Sequence, residues 1–334
     1  MVSISKKRIE ELFNGFQNKR IAVIGDLMID RYFWGNVERI SPEAPVPIIE
    51  VTEESNRLGG AANVANNIAS LGGIPIMVGV VGSDEGSKIL KRLVEERGFP
   101  TCGIVEDASR PTTIKSRVIA HDHHIVRIDQ EVRTDISDAT QKKILELLDD
   151  HFKDIDGIIL EDYNKGVLTK QLVSDIIEQA RRASKIVTVD PKYNNFFEYR
   201  NVSVFKPNKK EAEEALGKRL ASMEDYKAAA EEILHKLNAE NVLLTLGDMG
   251  MILYEQGGAS SHVATTARKV ADVSGAGDTV ISTLTMTLLA GGTIREAATL
   301  ANIAGGIVCG EVGIVPIDPK ILFETAIDIF NGEQ

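Results

Sequence analysis

Cysteine is nearly absent: Cys102 and Cys309 lie far apart, and neither belongs to a Cys-x-x-Cys pair. That excludes a disulfide-built scaffold and sets the expectation of a reducing, cytoplasmic setting. Both thiols read as buried free cysteines. No apolar run approaches ~20 residues, so no membrane span is expected. The stretch Met1 to Arg20 is polar and helical in pattern, without the apolar centre of a signal peptide. Positive charge is also short. With 38 Lys and Arg against 49 Asp and Glu, the formal charge is −11, which argues against a general nucleic-acid binder. Anionic ligands stay admissible, because a few placed Lys, Arg and backbone N–H groups outweigh net charge locally. Two phosphate motifs are missing as well: Gly-x-x-x-x-Gly-Lys-Ser/Thr, and Gly-x-Gly-x-x-Gly after a strand. Their absence disfavours a P-loop NTPase and a dinucleotide-dependent dehydrogenase.

What is present is an ordinary globular composition, 43% hydrophobic and 26% charged over 334 residues. That length suits one large α/β domain or two ordinary ones. Arg20 to Asp26 is a short apolar run ending in Gly-Asp, the pattern of a buried strand with a loop at its C-terminal end. Similar runs follow at Pro75 to Val81, Gly157 to Leu160, Ile186 to Asp190, Val202 to Lys206 and Val242 to Leu246. Amphipathic stretches at Ser83 to Arg97, Thr169 to Ala183, Ser222 to Leu237 and Thr293 to Cys309 separate them. Such alternation predicts a parallel sheet covered by helices on both faces. Ligands of such sheets gather at the C-terminal ends of strands. There the sequence places Asp26, Asp162, Asp190-Pro191-Lys192, Pro207-Asn208 and Gly247, which together suggest a polar crevice.

Two segments break the rhythm. One, about 31–51, holds Pro42, Pro45 and Pro47 and ends in the β-rich run Val46 to Val51. The other, about 112–129, alternates apolar and polar residues, the mark of strands with one solvated face. Both are read as a small β lid inserted into one domain. Within the second, His121-Asp122-His123-His124 lacks a second ligand group at a helical interval or a Cys pair, so a solvated hairpin turn is expected rather than a metal site.

The strongest chemical signal is Asp272-Val273-Ser274-Gly275-Ala276-Gly277-Asp278-Thr279, followed by an apolar, helix-compatible run. Gly275 and Gly277 let the backbone approach a ligand, and the helix that starts there adds the positive end of its dipole. A carboxylate inside an anion site is useful if it accepts a proton. Phosphoryl transfer from ATP to a hydroxyl needs both parts. A capped, glycine-rich helix start is the alternative. The second signal is Leu58-Gly59-Gly60-Ala61-Ala62-Asn63, which reads either as a polar-ligand site or as a small-residue helix packed on the sheet.

In this order, Gly59 to Asn63 and Asp272 to Asp278 resemble the two signatures of ribokinase-like (PfkB) carbohydrate kinases. Gly25-Asp26 with Asp30, Lys206 to Glu211, and Thr245-Leu246-Gly247 resemble further family positions. The resemblance implies a ribokinase-like three-layer α/β/α sandwich with a mainly parallel sheet and an inserted β lid. Within that family, Ile40 to Pro47, Asp162 to Gly166 and Asp190 to Lys192 look like the heptose 7-phosphate kinases of ADP-heptose biosynthesis. That kinase is often fused to a nucleotidylyltransferase domain. No His-x-Gly-His motif occurs here, so adenylylation is expected from another protein. Val280 stands where many members carry an aromatic residue, a difference expected to affect packing.

The resemblance also implies roles. Asp278 would be the base, with Gly275, Ala276 and Gly277 holding the transferred group. Asn208, Lys209, Lys210, Glu211, Thr245, Gly247 and Asn302 would bind ATP, with Glu211 meeting Mg²⁺ through water. Asp26, Gly59, Gly60 and Asn63 would meet the sugar. A phosphorylated sugar needs a cationic clamp, for which Lys165, Lys192, Arg117 and Arg127 are the candidates. For Asp26, Glu211 and Asn302 the alternatives are a turn carboxylate, a helix-start carboxylate and a surface amide. A monovalent cation such as K⁺ is left open. The exposed β face of the lid suggests a homodimer through the lids. The implied reaction is ATP-dependent phosphorylation of the anomeric hydroxyl of D-glycero-D-manno-heptose 7-phosphate. The rivals are another sugar or sugar phosphate, such as ribose or a fructose phosphate, and a sugar-binding regulator without catalysis.

Overall fold

The computed structural model describes residues 2–120, 123–265, 272–311 and 313–331. After α1 (Lys6–Gly15), the strand β1 (Arg20–Gly25) passes through Asp26 straight into a long hairpin, β2 (Leu27–Ile40) and β3 (Pro47–Gly60), that returns to α2 (Ala61–Ser70). Next come β4 (Ile74–Val81), α3 (Glu85–Glu96), β5 (Ile104–Glu106) and a second hairpin, β6 (Thr113–Ala120) and β7 (His123–Gln130). The α/β rhythm resumes with α4 (Asp138–His151), β8 (Gly157–Glu161), α5 (Lys170–Arg182), β9 (Ile186–Asp190) and β10 (Val204–Phe205). Then follow α6 (Lys209–Leu216), α7 (Met223–Leu237), β11 (Asn241–Thr245), β12 (Met251–Glu255) and β13 (Ser260–Val263). The chain ends on α8 (Ala276–Leu289), α9 (Ile294–Val308) and α10 (Pro319–Asn331). None of the described helices is long and apolar enough to cross a membrane.

Nine strands form one sheet in the order β13-β12-β11-β10-β9-β8-β1-β4-β5. Neighbours from β11 to β5 run parallel, and β12 and β13 return antiparallel at the edge. β1 shows why these strands are uninterrupted apolar runs. Ile21 and Val23 join the core under α1, α2, α3, α8, α9 and α10, while Ala22 and Ile24 join the core under α4, α5, α6 and α7. A strand covered on both faces has no solvated side to make polar.

The second sheet has four strands in the order β3-β2-β6-β7. Its first expected segment is enlarged, since that hairpin spans 27–60 rather than 31–51, whereas the second spans 113–130 against the expected 112–129. Polar residues Glu53 to Arg57 hid the return strand, because its face is solvated and carries no apolar alternation. The prolines fall where they are tolerated, around the turn that Ser41 closes by donating its N–H to the Val46 carbonyl at 2.9 Å. Of the histidine cluster, His121 and Asp122 lie outside the described residues. His123 and His124 are ladder residues of β7, opposite Ala120 and Ile119, rather than turn residues. The cysteine expectation is also corrected: Cys102 is exposed and Cys309 only half-buried.

Because β1 is packed on both faces, truncating it should be costly. Ile24→Ala should lower unfolding free energy by ~2–5 kcal/mol, read as a shifted midpoint in urea denaturation. A shift below ~1 kcal/mol would mean this strand is not the closely packed centre of the sheet.

Candidate active site

The turn before α8 works as its sequence suggests. Gly275 adopts φ +80 as the helix N-cap, a left-handed conformation that favours glycine. A side chain there would crowd the Asn63 amide at 3.1 Å. The first N–H groups of a helix lack intrahelical partners; Ala276 donates its own to the Val273 carbonyl at 3.3 Å, and Gly277 and Asp278 present an anion-binding end. Asp278 is buried, and both oxygens are held: Oδ2 accepts from Asn63 Nδ2 at 2.7 Å and Oδ1 from the Tyr163 hydroxyl at 2.8 Å. Loss of water pushes its pKa up to about 6, against the lowering effect of those two hydrogen bonds. Such a carboxylate is ionised at neutral pH yet basic enough to take a proton.

Behind it lies a charge cluster. Ligand oxygens of Glu161, Asp190 and Asp278 all lie within 4.8 Å of one another, and all three residues are buried. Lys206 Nζ sits 2.6 Å from Asp190 Oδ2. Burial and the Asp190 and Asp278 charges hold the Glu161 carboxyl well above the usual range. Its Oε2 has no hydrogen-bond partner among the described residues. These hard oxygens, one of them orphaned, suit a divalent cation such as Mg²⁺.

The second sheet covers this centre with an inner face whose rows follow from strand register. Arg57, Asp30, Lys115 and Asp129 form one cross-strand row, and Ser55, Tyr32, Arg117 and Arg127 the next. Arg117 pairs with the buried Asp30. The Tyr32 ring is flanked by the guanidinium groups of Arg57 at 5.0 Å and Arg117 at 5.4 Å. Lys115 Nζ lies 5.2 Å from the Tyr163 ring, whose hydroxyl holds Asp278. Burial is the main force lowering the Lys115 pKa, with Lys165 adding repulsion. Arg127 is exposed and pairs with Asp129 on its own strand.

On the other side of the turn, a 260 Å³ cavity brings together Thr245, Gly247 and Asn302, expected at the nucleotide, with Ala276 and Gly277, expected at the transferred group. Val280 lines it too, in contact range of Gly305. Asn302 is not a surface amide: it is buried and donates to the Ala264 carbonyl at 2.7 Å.

Several expected residues have other partners. Asp26, expected at sugar hydroxyls, is buried and accepts N–H groups of Tyr163 at 2.8 Å, Lys165 at 3.0 Å and Val167 at 3.3 Å. It organises the loop that carries Tyr163. Asn208 and Glu211 form the reciprocal capping box of α6, and Glu211 also pairs with Lys192. Lys165 pairs with Glu131 at 2.8 Å. Lys209 donates to the Tyr226 hydroxyl at 3.1 Å, and Lys210 is exposed 3.8 Å from Glu214; neither lines the nucleotide cavity. Gly59 and Gly60 are explained by packing, since a Cβ would collide with the Asp30 carboxylate at one and meet the Asp26 carbonyl at 2.5 Å at the other. Sequence reading assigned no role to Tyr163, Glu161, Lys206 or Lys115. Asp30 was noted only as a family position.

Comparison with known proteins agrees with this geometry. The family model described as "pfkB family carbohydrate kinase" matches residues 18–320. "Bifunctional protein HldE" of Citrifermentans bemidjiense is 42% identical over 331 residues, covering 99% of this chain and 67% of that protein. The protein of the same name from Helicobacter pylori is 41% identical over 295 residues, covering 88% and 64%. The chain thus spans about two thirds of the length of these relatives. Among solved structures, phosphofructokinase-2 from Escherichia coli in complex with potassium superposes with a TM-score of 0.76 at 19% identity, covering 94% of this chain and 99% of that one. Arabidopsis thaliana ribokinase complexed with ribose and ATP gives 0.72 at 19%, covering 93% and 99%. These likenesses establish the ribokinase-like fold.

The raised pKa of Asp278 has consequences of known sign. Turnover should fall with acid through an apparent pKa near 6. Tyr163→Phe, by removing a bond that stabilises the carboxylate, should move that limb to higher pH; a limb that stays put would separate Tyr163 from the titration. A pKa raised in the fold favours the native state below about 4 and loses that contribution as pH rises through about 6. Asp278→Asn should therefore be more stable than the parent by roughly 1–3 kcal/mol at pH 8, with the gain fading towards pH 4 in thermal melts. No pH dependence of that difference would contradict the burial argument.

Proposed function

The chain belongs to the pfkB family of carbohydrate kinases, and from that premise we propose that it transfers the γ-phosphoryl group of ATP to the C1 hydroxyl of D-glycero-D-manno-heptose 7-phosphate. The product is the 1,7-bisphosphate, an intermediate on the way to the heptose of lipopolysaccharide. The observation that carries phosphoryl transfer is the buried Asp278, held by Asn63 and Tyr163 at the N-terminal end of α8. Asp278 takes the proton of the attacking hydroxyl. The first N–H groups of α8 receive negative charge on the phosphoryl group. The adenine side of ATP enters the cavity between Thr245 and Asn302. A divalent cation supplies charge neutralisation at the nucleotide phosphates, and Glu161 and Asp190, with Glu211 further out, are the carboxylates available to it.

The choice of a phosphorylated sugar rests on two supports. One is the similarity to the HldE proteins over nearly the whole chain. The other is the basic inner face of the second sheet, where Arg57, Lys115, Arg117 and Arg127 outnumber Asp30 and Asp129. A bare sugar needs no such excess. The outer part of this sheet leaves Ile40, Val46, Val51, Ile125, Val126 and Ile128 exposed. A patch of that kind marks an association surface, and two such sheets meeting face to face make a homodimer.

Purified protein with ATP and Mg²⁺ should convert heptose 7-phosphate and give a second phosphorus resonance coupled to the anomeric proton. Faster turnover of ribose or fructose 6-phosphate would sink the heptose assignment while leaving the kinase. Asp278→Asn should lose at least ~10²-fold in kcat while nucleotide binding persists; unchanged turnover would refute its role as base. The double variant Val126→Asp, Ile128→Asp should run as a monomer in light scattering, and an unchanged mass would remove the sheet from the interface.

A further inference from the structure

The mechanism above leaves Lys206 unused, and its position is unusual. It follows β10 at the C-terminal edge of the sheet, with its side chain only 3% exposed. A Cβ built on Gly277 would lie 3.6 Å from Lys206 Nζ and 3.4 Å from Asp190 Oδ2. The ammonium group therefore sits against Gly277, the second residue of α8. An ammonium has three donors, and Asp190 is the one partner recorded for it among the described residues. Stability alone does not explain the arrangement, because a buried ion pair is often replaced by apolar residues without loss. The surroundings do call for a cation at this point. A phosphoryl group entering the turn comes close to Glu161, Asp190 and Asp278, and like charges repel strongly where water is excluded.

We propose that Lys206 is a catalytic residue whose ammonium group donates a hydrogen bond to the phosphoryl group in transit, opposite the N–H groups of Gly277 and Asp278, with Asp190 holding it in place. The inference rests on the phosphoryl-transfer reading of the site. In the step concerned, the sugar oxygen forms its bond to the γ-phosphorus as the bond from that phosphorus to the bridging oxygen of ADP breaks. The hydroxyl proton goes to Asp278 and ADP leaves with the electron pair. Lys206 stays protonated throughout and supplies only charge and a hydrogen bond.

The test compares the wild type with K206M, D190N and the double variant D190N/K206M, in kcat, KM for both substrates and ADP affinity. K206M should lose ~10²-fold in kcat, the scale of removing one donor from a charge-stabilising site, with ADP affinity kept within about threefold. The double variant should remain as far below D190N as K206M is below the wild type. If Lys206 only balances its carboxylate partner Asp190, removing a charge of each sign restores kcat to within about threefold of D190N, and the proposal fails. ADP with Mg²⁺ and aluminium fluoride, a mimic of the phosphoryl group in transit, gives a readout that needs no sugar. It should bind the wild type much more tightly than ADP alone, and K206M no more tightly than ADP. Equal tightening in both would overturn the proposal even if the sugar assignment were wrong. Should K206M fail to fold, the charge-matched double variant carries both measurements against D190N.

Discussion

Three backbone N–H groups converge on one carboxylate, that of Asp26, and most of the active centre depends on that convergence. The residue ends β1, the strand packed on both faces, and begins the chain's passage into the second sheet. By accepting from Tyr163, Lys165 and Val167 it fixes the loop after β8 against the loop after β1. Tyr163 can then reach Asp278, and Lys165 can reach Glu131. Burial pushes the Asp26 pKa up, and the three hydrogen bonds oppose that shift. A substitution here would reach the base indirectly, through the position of Tyr163.

Around that tie, the protein concentrates like charges where a parallel sheet naturally gathers its ligands. Glu161, Asp190 and Asp278 stand at adjacent elements, with Lys206 and Lys192 as counter-charges. Burial raises the pKa of Asp278 to about 6 and raises that of the neighbouring Glu161 as well. The same desolvation that suits Asp278 to the proposed role of base makes the native state less tolerant of its ionisation, so proposed function and stability pull in opposite directions at this residue.

How much was legible in the sequence follows from the range of the interactions involved. Strands such as Arg20–Gly25 announce themselves, because burial on both faces leaves an unbroken apolar run. The Gly275 to Asp278 turn was legible too, since conformational freedom and helix start are local properties. The return strand over Glu53 to Arg57 was not, because a solvated strand of charged residues has no apolar pattern. The short edge strands β12 and β13 were not singled out either. Within the site, the backbone partners of Asp26 were not legible, because they lie 137 to 141 residues away and no motif displays them. Lys115 and Lys206 sit inside recognisable stretches, but only the register of β6 and the approach of β10 to α8 reveal what they face.

The proposed function divides the two substrates between separate parts of the chain. The cavity assigned to the nucleotide is built from β11, α8, α9 and nearby turns, whereas the side assigned to the sugar is built from rows of residues across β3, β2, β6 and β7. They join through the Asn63–Asp278 hydrogen bond, the Tyr163 hydroxyl and the bond that Arg57 donates to the Ile314 carbonyl. Alternate residues of the four strands can therefore be exchanged to admit a different acceptor without disturbing the donor cavity. A lineage built on this scaffold can change its diet while keeping its fuel.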